Sequence, residues 1–313
     1  MDTVSPLIHI GFHKTGSTLL QQQLFSRSDF GFHRMENDRQ RVHAELIRYG
    51  PYSEPSDETI AHLREEARAA AEAKNRFVIS HERLSGYPAT GGFDAKAIAD
   101  RLNNIFPRAK ILIMVREQKT MIRSFYFQYI SDGGSLSFKK LLKSPQPSLH
   151  RVPGFDLSFF EYDQAVAYYQ QVFGRDNILV LPFEQISRDA RDLAAKIIEF
   201  AGNATAKNNI DDSIFEKKVN PAVPVLGQHL RRTCNFLLAR TQLSNHGILN
   251  IPYVDATFKM LRPALAPLKV FDTTLGRKLN DQIEAATEGR YAESNNRLAE
   301  MTGLDLGALG YQI

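Results

Sequence analysis

The sequence predicts an α/β protein, a three-layer fold in which helices flank a central parallel sheet, followed by a helical C-terminal part. Three observations support this class. An apolar run at 7–12 leads through a glycine-containing loop into residues 17–26, which carry leucines at helical spacing. Residues 110–115, KILIMV, form a continuous apolar run, as expected of a strand buried on both faces. Strands then alternate with helical patterns up to residue 202, so ligands are expected at the carboxyl ends of the strands.

Each element rests on a local pattern. Strands are predicted where short apolar runs end in turn residues, at 7–12, 77–80, 110–115 and 177–182. Helices are predicted where apolar residues recur every three or four positions or helix formers accumulate, at 17–26, 57–74, 94–104, 118–130, 159–173, 187–201, 223–240 and 276–301. Glycine and proline mark 131–154 as a loop or lid, and the polar stretches 29–56 and 203–222 are predicted to be irregular. One domain is expected over 1–313, with 203–313 as a mostly helical extension.

The composition narrows the classes of protein. The 313 residues carry a formal charge of +4 and a pI near 9.0, which suits an anionic ligand. This charge is too weak for a dedicated nucleic-acid binder, so no nucleic-acid partner is expected. Cys234 is the only cysteine, which excludes an intrachain disulfide and a cysteine-based zinc site. No apolar run reaches 18 residues and the N-terminus lacks a signal-peptide pattern, so a cytoplasmic location is expected.

The loop after the first predicted strand almost matches the phosphate-binding pattern G-x-x-x-x-G-K-[ST]. Gly11, Gly16 and Thr18 fit it, but Ser17 stands at the lysine position and Lys14 lies three residues upstream. The main-chain N–H groups of such a loop and the following helix terminus attract anions, and Lys14 adds a full charge. The shifted lysine suggests a ligand shorter than a triphosphate and no required metal. The alternative is an ordinary strand–turn–helix with a surface lysine.

A second polar pair follows the run KILIMV. Arg116 comes directly after that strand, and Ser124 follows eight residues later on the next predicted helix. A guanidinium and a hydroxyl can bind a second phosphate group. Arginine after a strand also commonly pairs with a carboxylate, and Ser124 can simply cap or pack. Arg116 and Ser124 therefore indicate a phosphate site only in combination with the loop.

The stretches GFHKTGSTLLQ and ILIMVREQKTMIRSFYFQYI together resemble the sulfotransferases that use 3′-phosphoadenosine 5′-phosphosulfate (PAPS). The HKTGST form is closer to bacterial and carbohydrate sulfotransferases than to the cytosolic small-molecule enzymes. The similarity covers scattered blocks over about residues 7–202, including a strand-and-helix segment at 172–202. It implies a P-loop-like α/β fold and transfer of a sulfuryl group from PAPS, with no metal required.

The resemblance also implies roles for individual residues. The 5′-phosphosulfate is expected to contact the loop residues His13, Lys14, Thr15, Gly16, Ser17 and Thr18, and the 3′-phosphate to contact Arg116 and Ser124. Lys14 is expected to neutralise the charge that builds on the bridging oxygen as the sulfuryl group leaves. The family also closes on the 3′-phosphate with a basic, glycine-containing segment. Lys217 and Lys218 are the best substitutes here, and the alternative for them is a solvated charge pair.

Transfer to a hydroxyl also needs a general base that takes the acceptor's proton. The stretch VISHERLSG at 78–86 ends the second predicted strand and offers His81 and Glu82, of which strand alternation turns only one towards the site. A histidine at its ordinary pKa suits base catalysis at neutral pH. Glycan-directed members of the family often use a carboxylate, which favours Glu82. The alternative is a packed His81 and an ion pair between Glu82 and Arg83.

These features predict a PAPS-dependent sulfotransferase that acts on a hydroxyl, less readily an amine, of a carbohydrate or glycolipid. A glycan or glycolipid acceptor is the expected partner, with membrane association only through a lipid-linked acceptor. Two alternatives stay open. One is a small-molecule kinase of the P-loop type that uses ATP and Mg²⁺, against which the serine at position 17 argues. The other is a nucleotide-binding module without catalysis.

Overall fold

The computed structural model describes residues 5–50, 52–143, 154–211, 214–215, 225–238 and 272–313. A five-stranded sheet has the spatial order β2-β3-β1-β4-β5, and every strand runs parallel to its neighbours. The strands are β1 (Leu7–His9), β2 (Phe32–Arg34), β3 (Arg76–Ser80), β4 (Lys110–Val115) and β5 (Ile178–Pro182). This confirms the predicted α/β class with a central parallel sheet.

Helices lie between the strands and beyond them, because parallel neighbours need crossover connections. In chain order the described helices are α1 (Ser17–Gln23), α2 (Asp38–Val42), α3 (Asp57–Glu72), α4 (Ala95–Ile105), α5 (Gln118–Ser131), α6 (Phe138–Leu142), α7 (Tyr162–Phe173), α8 (Gln185–Arg188), α9 (Ala190–Phe200), α10 (Val225–Leu238), α11 (Asp272–Thr287) and α12 (Ala292–Thr302). A π-helical turn, His43–Ile47, continues α2. None of the helices among these residues is both long and apolar enough to span a bilayer.

Contacts divide the chain into two compact units. The first comprises Met1–Glu117, Ser158–Val219 and Ala292–Ile313, and it contains the sheet. The second comprises Gln118–Leu157 and Asn220–Tyr291. The expectation of one domain over 1–313 stays a prediction, because two compact units can still fold as one domain.

In the first unit, the sheet is buried on both faces. The side chains of Leu112 and Met114 belong to a core cluster that also contains the buried leucines of α1 and α9. The intervening Ile111 and Ile113 are equally buried and point to the opposite face, where α7 packs against β4 and β5. This burial on two faces explains why β4 is apolar at every position after Lys110 rather than at every second one.

The stretch 29–56 contains regular elements, so the prediction that it is irregular is wrong there. β2 pairs in parallel with the edge of β3, and Phe32 is buried in the core cluster. The three residues of β2 are too few to show an alternating pattern. The strand forms because its main chain pairs with that of β3. The single helix predicted at 276–301 is also divided. α11 and α12 are separated by a turn in which Gly289 has a φ of 64°.

The regular elements in the described part of the second unit are helices. Asn235 of α10 donates through Nδ2 to the main-chain carbonyls of Ile130, at 2.7 Å, and Gly134, at 3.0 Å. These buried hydrogen bonds fix α10 against the end of α5. The predicted lid at 131–154 contains α6, and residues 144–153 lie outside the described part of the chain.

Candidate active site

The loop between β1 and α1 contains two residues in the left-handed conformation. Lys14 has a φ of 65° and Gly16 a φ of 88°. The conformation is natural for glycine, but for a lysine it costs on the order of 1–3 kcal/mol and persists only where the surroundings hold it. Phe12 provides such support, because its ring is buried between those of Phe159 and Tyr162, with centroids 5.4 and 4.6 Å away. The loop is therefore held in one shape.

Polar atoms of this loop have hydrogen-bonding capacity that the described residues do not use. Ser17 Oγ and His13 Nδ1 are buried and have no hydrogen-bond partner among those residues. Thr15 is different, because its hydroxyl donates to the carbonyl of Phe12 at 2.5 Å and so shapes the loop. Lys14 is exposed. Since α1 has only seven residues, positive charge at this place comes from Lys14 rather than from a long helix dipole.

Arg116 brings the second motif to this loop. It follows β4 directly, and its Nη1 donates to the main-chain carbonyl of Lys14 at 2.9 Å. The guanidinium lies 4.6 Å from the centroid of the Phe183 ring, and the Tyr162 hydroxyl donates to the Arg116 carbonyl at 2.9 Å. Burial lowers the pKa of Arg116, but a guanidinium keeps its charge in proteins. Two motifs that are 102 residues apart in the sequence therefore meet at the carboxyl edge of the sheet.

His81 and Glu82 follow the end of β3. The strand stops at Ser80 and a 3₁₀ turn, Glu82–Ser85, begins at once, so strand alternation does not apply to these two residues. His81 Nδ1 accepts a hydrogen bond from the main-chain N–H of Arg83 at 3.0 Å. Because a main-chain N–H can only donate, Nδ1 carries no proton, and the neutral ring holds its proton on Nε2. Burial lowers the pKa of His81, so the neutral form prevails at pH 7.

Glu82 is held as a carboxylate beside the loop. Burial alone raises the pKa of Glu82, but a main-chain N–H and the attraction of His81 and His13, in the protonated forms that they take up at low pH, outweigh it, and the pKa lies below its ordinary value of 4.5. Arg83 pairs with Asp94 at 2.5 Å instead of with Glu82, so the ion pair offered as an alternative by the sequence is not formed. An ionised carboxylate therefore lies within electrostatic range of the loop.

Sequence reasoning missed His9, a buried residue of β1 that lies against the loop. Its Nδ1 is 2.8 Å from Ser80 Oγ, and Gln21 donates to the Ser80 carbonyl at 2.8 Å. Burial lowers the pKa of His9 to about 4, so the ring is neutral at pH 7. Its Nε2 has no hydrogen-bond partner in the described part of the chain, and a Cβ on Gly11 would clash with it. The only sequence signal was a histidine within an apolar strand.

The other predicted site residues lie in three places. Thr18 is exposed on the first turn of α1. Ser124 is half-buried on α5 and belongs to the second unit. Lys217 and Lys218 lie outside the described residues. Within the described ranges, no group of three or more histidine, cysteine, aspartate or glutamate side chains is arranged to hold a metal ion.

A cavity of about 250 Å³ lies at the opposite edge of the sheet. Its lining includes Arg76, the first residue of β3, so it opens at the amino ends of the strands. Lys14, Arg116 and Glu82 lie at the carboxyl ends, where parallel sheets bind their ligands. We therefore place the candidate active site at the carboxyl edge.

Comparison with models of protein families agrees with the motifs at this edge. No curated protein matches the chain. A crystal structure of a sulfotransferase from Alicyclobacillus acidocaldarius aligns with 82% of this chain and 98% of its own, at 20% identity and a TM-score of 0.49. The model of the sulfotransferase family matches residues 6–206, which include the loop, Glu82 and Arg116. Because that match extends over more than half of the sequence, the chain belongs to the sulfotransferase family.

Proposed function

We propose that this sulfotransferase moves the sulfuryl group of PAPS to a hydroxyl, less readily an amine, of a carbohydrate or glycolipid. The observation that carries the proposal is the hydrogen bond of 2.9 Å from Arg116 to the carbonyl of Lys14. It joins the two motifs that the family resemblance assigns to the two phosphate positions of this donor. Sulfuryl transfer itself is the chemistry of the family to which the chain belongs.

The groups around the loop suit the anionic donor. Lys14 and Arg116 supply positive charge, and charged donors form the stronger hydrogen bonds to phosphate oxygens. The buried hydroxyl of Ser17, which has no partner among the described residues, can donate to a further oxygen. His13 Nδ1 is available in the same way when it carries the ring proton. Bound here, PAPS supplies a sulfuryl group linked to a phosphate through one bridging oxygen.

Lys14 is assigned to the leaving group. As the bond between sulfur and the bridging oxygen breaks, negative charge grows on that oxygen. An ammonium group already positioned beside it stabilises this charge without reorganising. The left-handed backbone of Lys14, supported by the buried Phe12 next to the loop, fixes the direction in which the side chain leaves the loop.

Glu82 is assigned as the general base. Its carboxylate is ionised and ready to accept the acceptor's proton as the new sulfur–oxygen bond forms. His81 is less suited, because the Arg83 N–H occupies the lone pair of Nδ1 while Nε2 holds the proton. His81 instead caps the 3₁₀ turn that begins with Glu82, and so fixes the position of the carboxylate.

Calorimetric titration tests this proposal. The product nucleotide 3′-phosphoadenosine 5′-phosphate (PAP) is titrated into the protein in EDTA and in Mg²⁺, and ATP is titrated in Mg²⁺. We expect PAP to bind with the same affinity in both buffers and more tightly than ATP. Binding of ATP with Mg²⁺ and not of PAP would favour the kinase alternative, and binding of neither nucleotide would contradict any nucleotide site. A transfer assay with labelled donor and a panel of glycans then identifies the acceptor.

A further inference from the structure

The segment that leads into and out of the π-helical turn contains four arginines, and they fall into two classes. Two of them are taken up by carboxylates with N···O distances of 2.7 Å: Arg34 by Asp38, and Arg41 by Glu45 and Glu66. The other two, Arg39 and Arg48, are exposed, and their guanidinium groups form no hydrogen bond or ion pair with any described residue. The acidic side chains of this segment thus leave two positive charges unneutralised.

The π-helical turn aligns these two arginines with His43. Arg39 lies four residues before His43, so the two side chains share one helix face. The main-chain N–H of Arg48 donates to the carbonyl of His43 at 2.9 Å, a bond between residues five apart that closes one π-turn. In an α-helix a residue five positions on would be rotated by about 140°. The extra residue in this turn therefore returns Arg48 to the face of Arg39 and His43.

This face meets the candidate active site through a ring contact. The imidazole of His43 lies edge-on to that of His81, with centroids 5.2 Å apart. His81 directly precedes Glu82, the proposed base. Arg39 and Arg48 both act electrostatically on His43, and Arg39 also acts on His81, so the two arginines lie near the residue that precedes the proposed base.

The electrostatics of His43 agree with this placement. Burial lowers the pKa of His43, and the positive charges of Arg83 and Arg39 lower it further; the carboxylate of Glu82 opposes them, and Arg48 adds the smallest lowering effect. The guanidinium of Arg83 is engaged by its ion pair with Asp94. Those of Arg39 and Arg48 have no such partner among the described residues, so these two charges are open to a ligand.

We propose that Arg39 and Arg48 bind an anionic group of the acceptor, a carboxylate or a sulfate ester on a sugar next to the one that is sulfated. A planar guanidinium presents paired N–H donors that match the oxygens of either group. The acceptor class is therefore an acidic glycan rather than a neutral one. This inference rests on the proposed sulfuryl transfer, since it names the substrate of that same site.

Three forms of one glycan test the inference: chondroitin tetrasaccharide without sulfate, the same compound carrying 4-sulfate, and a form whose carboxylates are reduced to alcohols. Each is titrated into the protein saturated with PAP. We expect the two anionic forms to bind at least about tenfold more tightly than the reduced one. Comparing the two anionic forms distinguishes a carboxylate from a sulfate ester as the recognised group.

Variants locate the effect. We expect Arg39→Ala and Arg48→Ala each to weaken binding of the anionic forms about three- to tenfold, with no change for the reduced form. Arg108→Ala is the matched control, because Arg108 is an exposed arginine at the amino end of β4, and it should change nothing. The inference is overturned if all three glycans bind alike, if none binds at millimolar concentration, or if Arg108→Ala weakens binding as much as the other two.

Failure of this inference can be distinguished from failure of the proposed function. Affinity for PAP is measured in the same experiments, and Arg39→Ala and Arg48→Ala should leave it unchanged because neither residue belongs to the loop or to β4. If the unaltered protein does not bind PAP, the result counts against the proposed function. Normal PAP binding without discrimination between the glycans would count against the acceptor class alone.

Discussion

Lys14 and Glu82 place opposite charges at the edge of the sheet where β1 and β3 end. The ammonium of Lys14 is exposed on a loop of fixed shape, whereas the carboxylate of Glu82 is kept ionised by its surroundings. Each charge suits one half of a transfer reaction, the departure of one oxygen and the deprotonation of another. Their separate tasks can be tested by separate substitutions.

Replacing Lys14 should affect turnover more than binding. We expect Lys14→Ala to lower kcat about 100-fold or more, since a stabilising charge at the leaving oxygen is lost, while the Kd for PAP changes by less than about tenfold. Steady-state kinetics and calorimetry measure the two quantities. Lys74→Ala is a close control, because Lys74 is also exposed and also has a positive φ, of 59°. Equal losses of turnover and PAP affinity in Lys14→Ala would contradict the assigned role.

Substitutions at positions 81 and 82 should distinguish the general base from the residue that caps the turn beside it. Glu82→Gln removes the proton acceptor and is expected to lower kcat by about 100-fold or more. His81→Asn keeps an oxygen that can accept from the Arg83 N–H, so the turn stays capped and most of the activity should remain. An active Glu82→Gln enzyme would eliminate Glu82, and loss of activity only in His81→Asn would make the histidine the base.

The pH profile gives an independent test of the base. A general base must be deprotonated, so activity is lost as the pH falls through its pKa. Because the pKa of Glu82 lies below the ordinary value of 4.5, kcat/KM should stay level from pH 8 to about 5 and fall only below that. An acid limb between pH 5 and 6.5 would contradict the assignment, because burial lowers the pKa of the rival His81 below the ordinary histidine value of 6.5.

Single residues also show where the sequence was informative. Lys14 and Arg116 could be singled out because each occupies a fixed place beside a strand end, and the hydrogen bond between them is what that placement anticipates. The protonation of His81 could not be predicted, because it depends on a main-chain N–H that turns towards Nδ1 only after β3 ends. His9 was invisible for a similar reason, since its partners on β3 and α1 are remote in the sequence.

Among the elements, the loop between β1 and α1 depends most on backbone conformation. Gly16 has a φ of 88°, and a Cβ there would lie 2.8 Å from Cδ1 of Ile186 and 3.4 Å from the Phe183 ring. Gly310 has the same φ of 88°, but nothing in the described residues lies within 4 Å of the corresponding Cβ position. Alanine substitutions at these two positions therefore distinguish the effect of backbone strain from that of a steric contact.

Alanine at these two glycines should have different consequences. Gly310→Ala is expected to reduce the free energy of unfolding by about 1–2 kcal/mol through backbone strain alone. Gly16→Ala puts the same strain into the loop itself and adds a close contact with the end of the Ile186 side chain, so it should lose at least as much stability and bind PAP at least about tenfold more weakly. Urea unfolding and calorimetry measure both effects. Unchanged PAP affinity in Gly16→Ala would mean that the loop does not hold the nucleotide.

The elements also differ in how well they can be predicted from the sequence. The sequence pattern predicts β4 directly, because five consecutive apolar residues follow Lys110. It also predicts α9, because the apolar residues of α9 recur at helical spacing. It does not predict β2, because three residues have no period and the strand exists only beside β3. The π-helical turn could not be predicted either, because it differs from an α-helix by only one residue in a turn. The alignment of Arg39 with Arg48 depends on this turn and was therefore not predictable.

For the whole molecule, the buried histidines link stability to pH. Burial lowers the pKa of His9 to about 4, whereas in the unfolded chain it is near 6.5. The unfolded state therefore binds the proton first as the pH falls, and the stabilising contribution is complete above pH 6.5 and lost towards pH 4. From pH 7 to pH 5 this histidine alone should lower the free energy of unfolding by about 2 kcal/mol.

Urea unfolding at the two pH values measures this dependence. In His9→Gln the neutral amide cannot take up the proton, so the loss between pH 7 and pH 5 should shrink by about 2 kcal/mol. His62→Gln serves as the control, because the side chain of His62 is 62% exposed and the loss should remain as in the unaltered protein. An identical loss in all three proteins would show that His9 is not the group that links folding to pH.

The loop that carries Lys14 and the guanidinium of Arg116 should bind the two ends of one nucleotide. A crystal structure of the complex with PAP tests this arrangement. We predict that oxygens of the 5′-phosphate lie within hydrogen-bond distance of the loop at residues 13–18 and that oxygens of the 3′-phosphate lie within that distance of Arg116. PAP bound elsewhere, or in this place with no phosphate oxygen within reach of either group, would contradict the account.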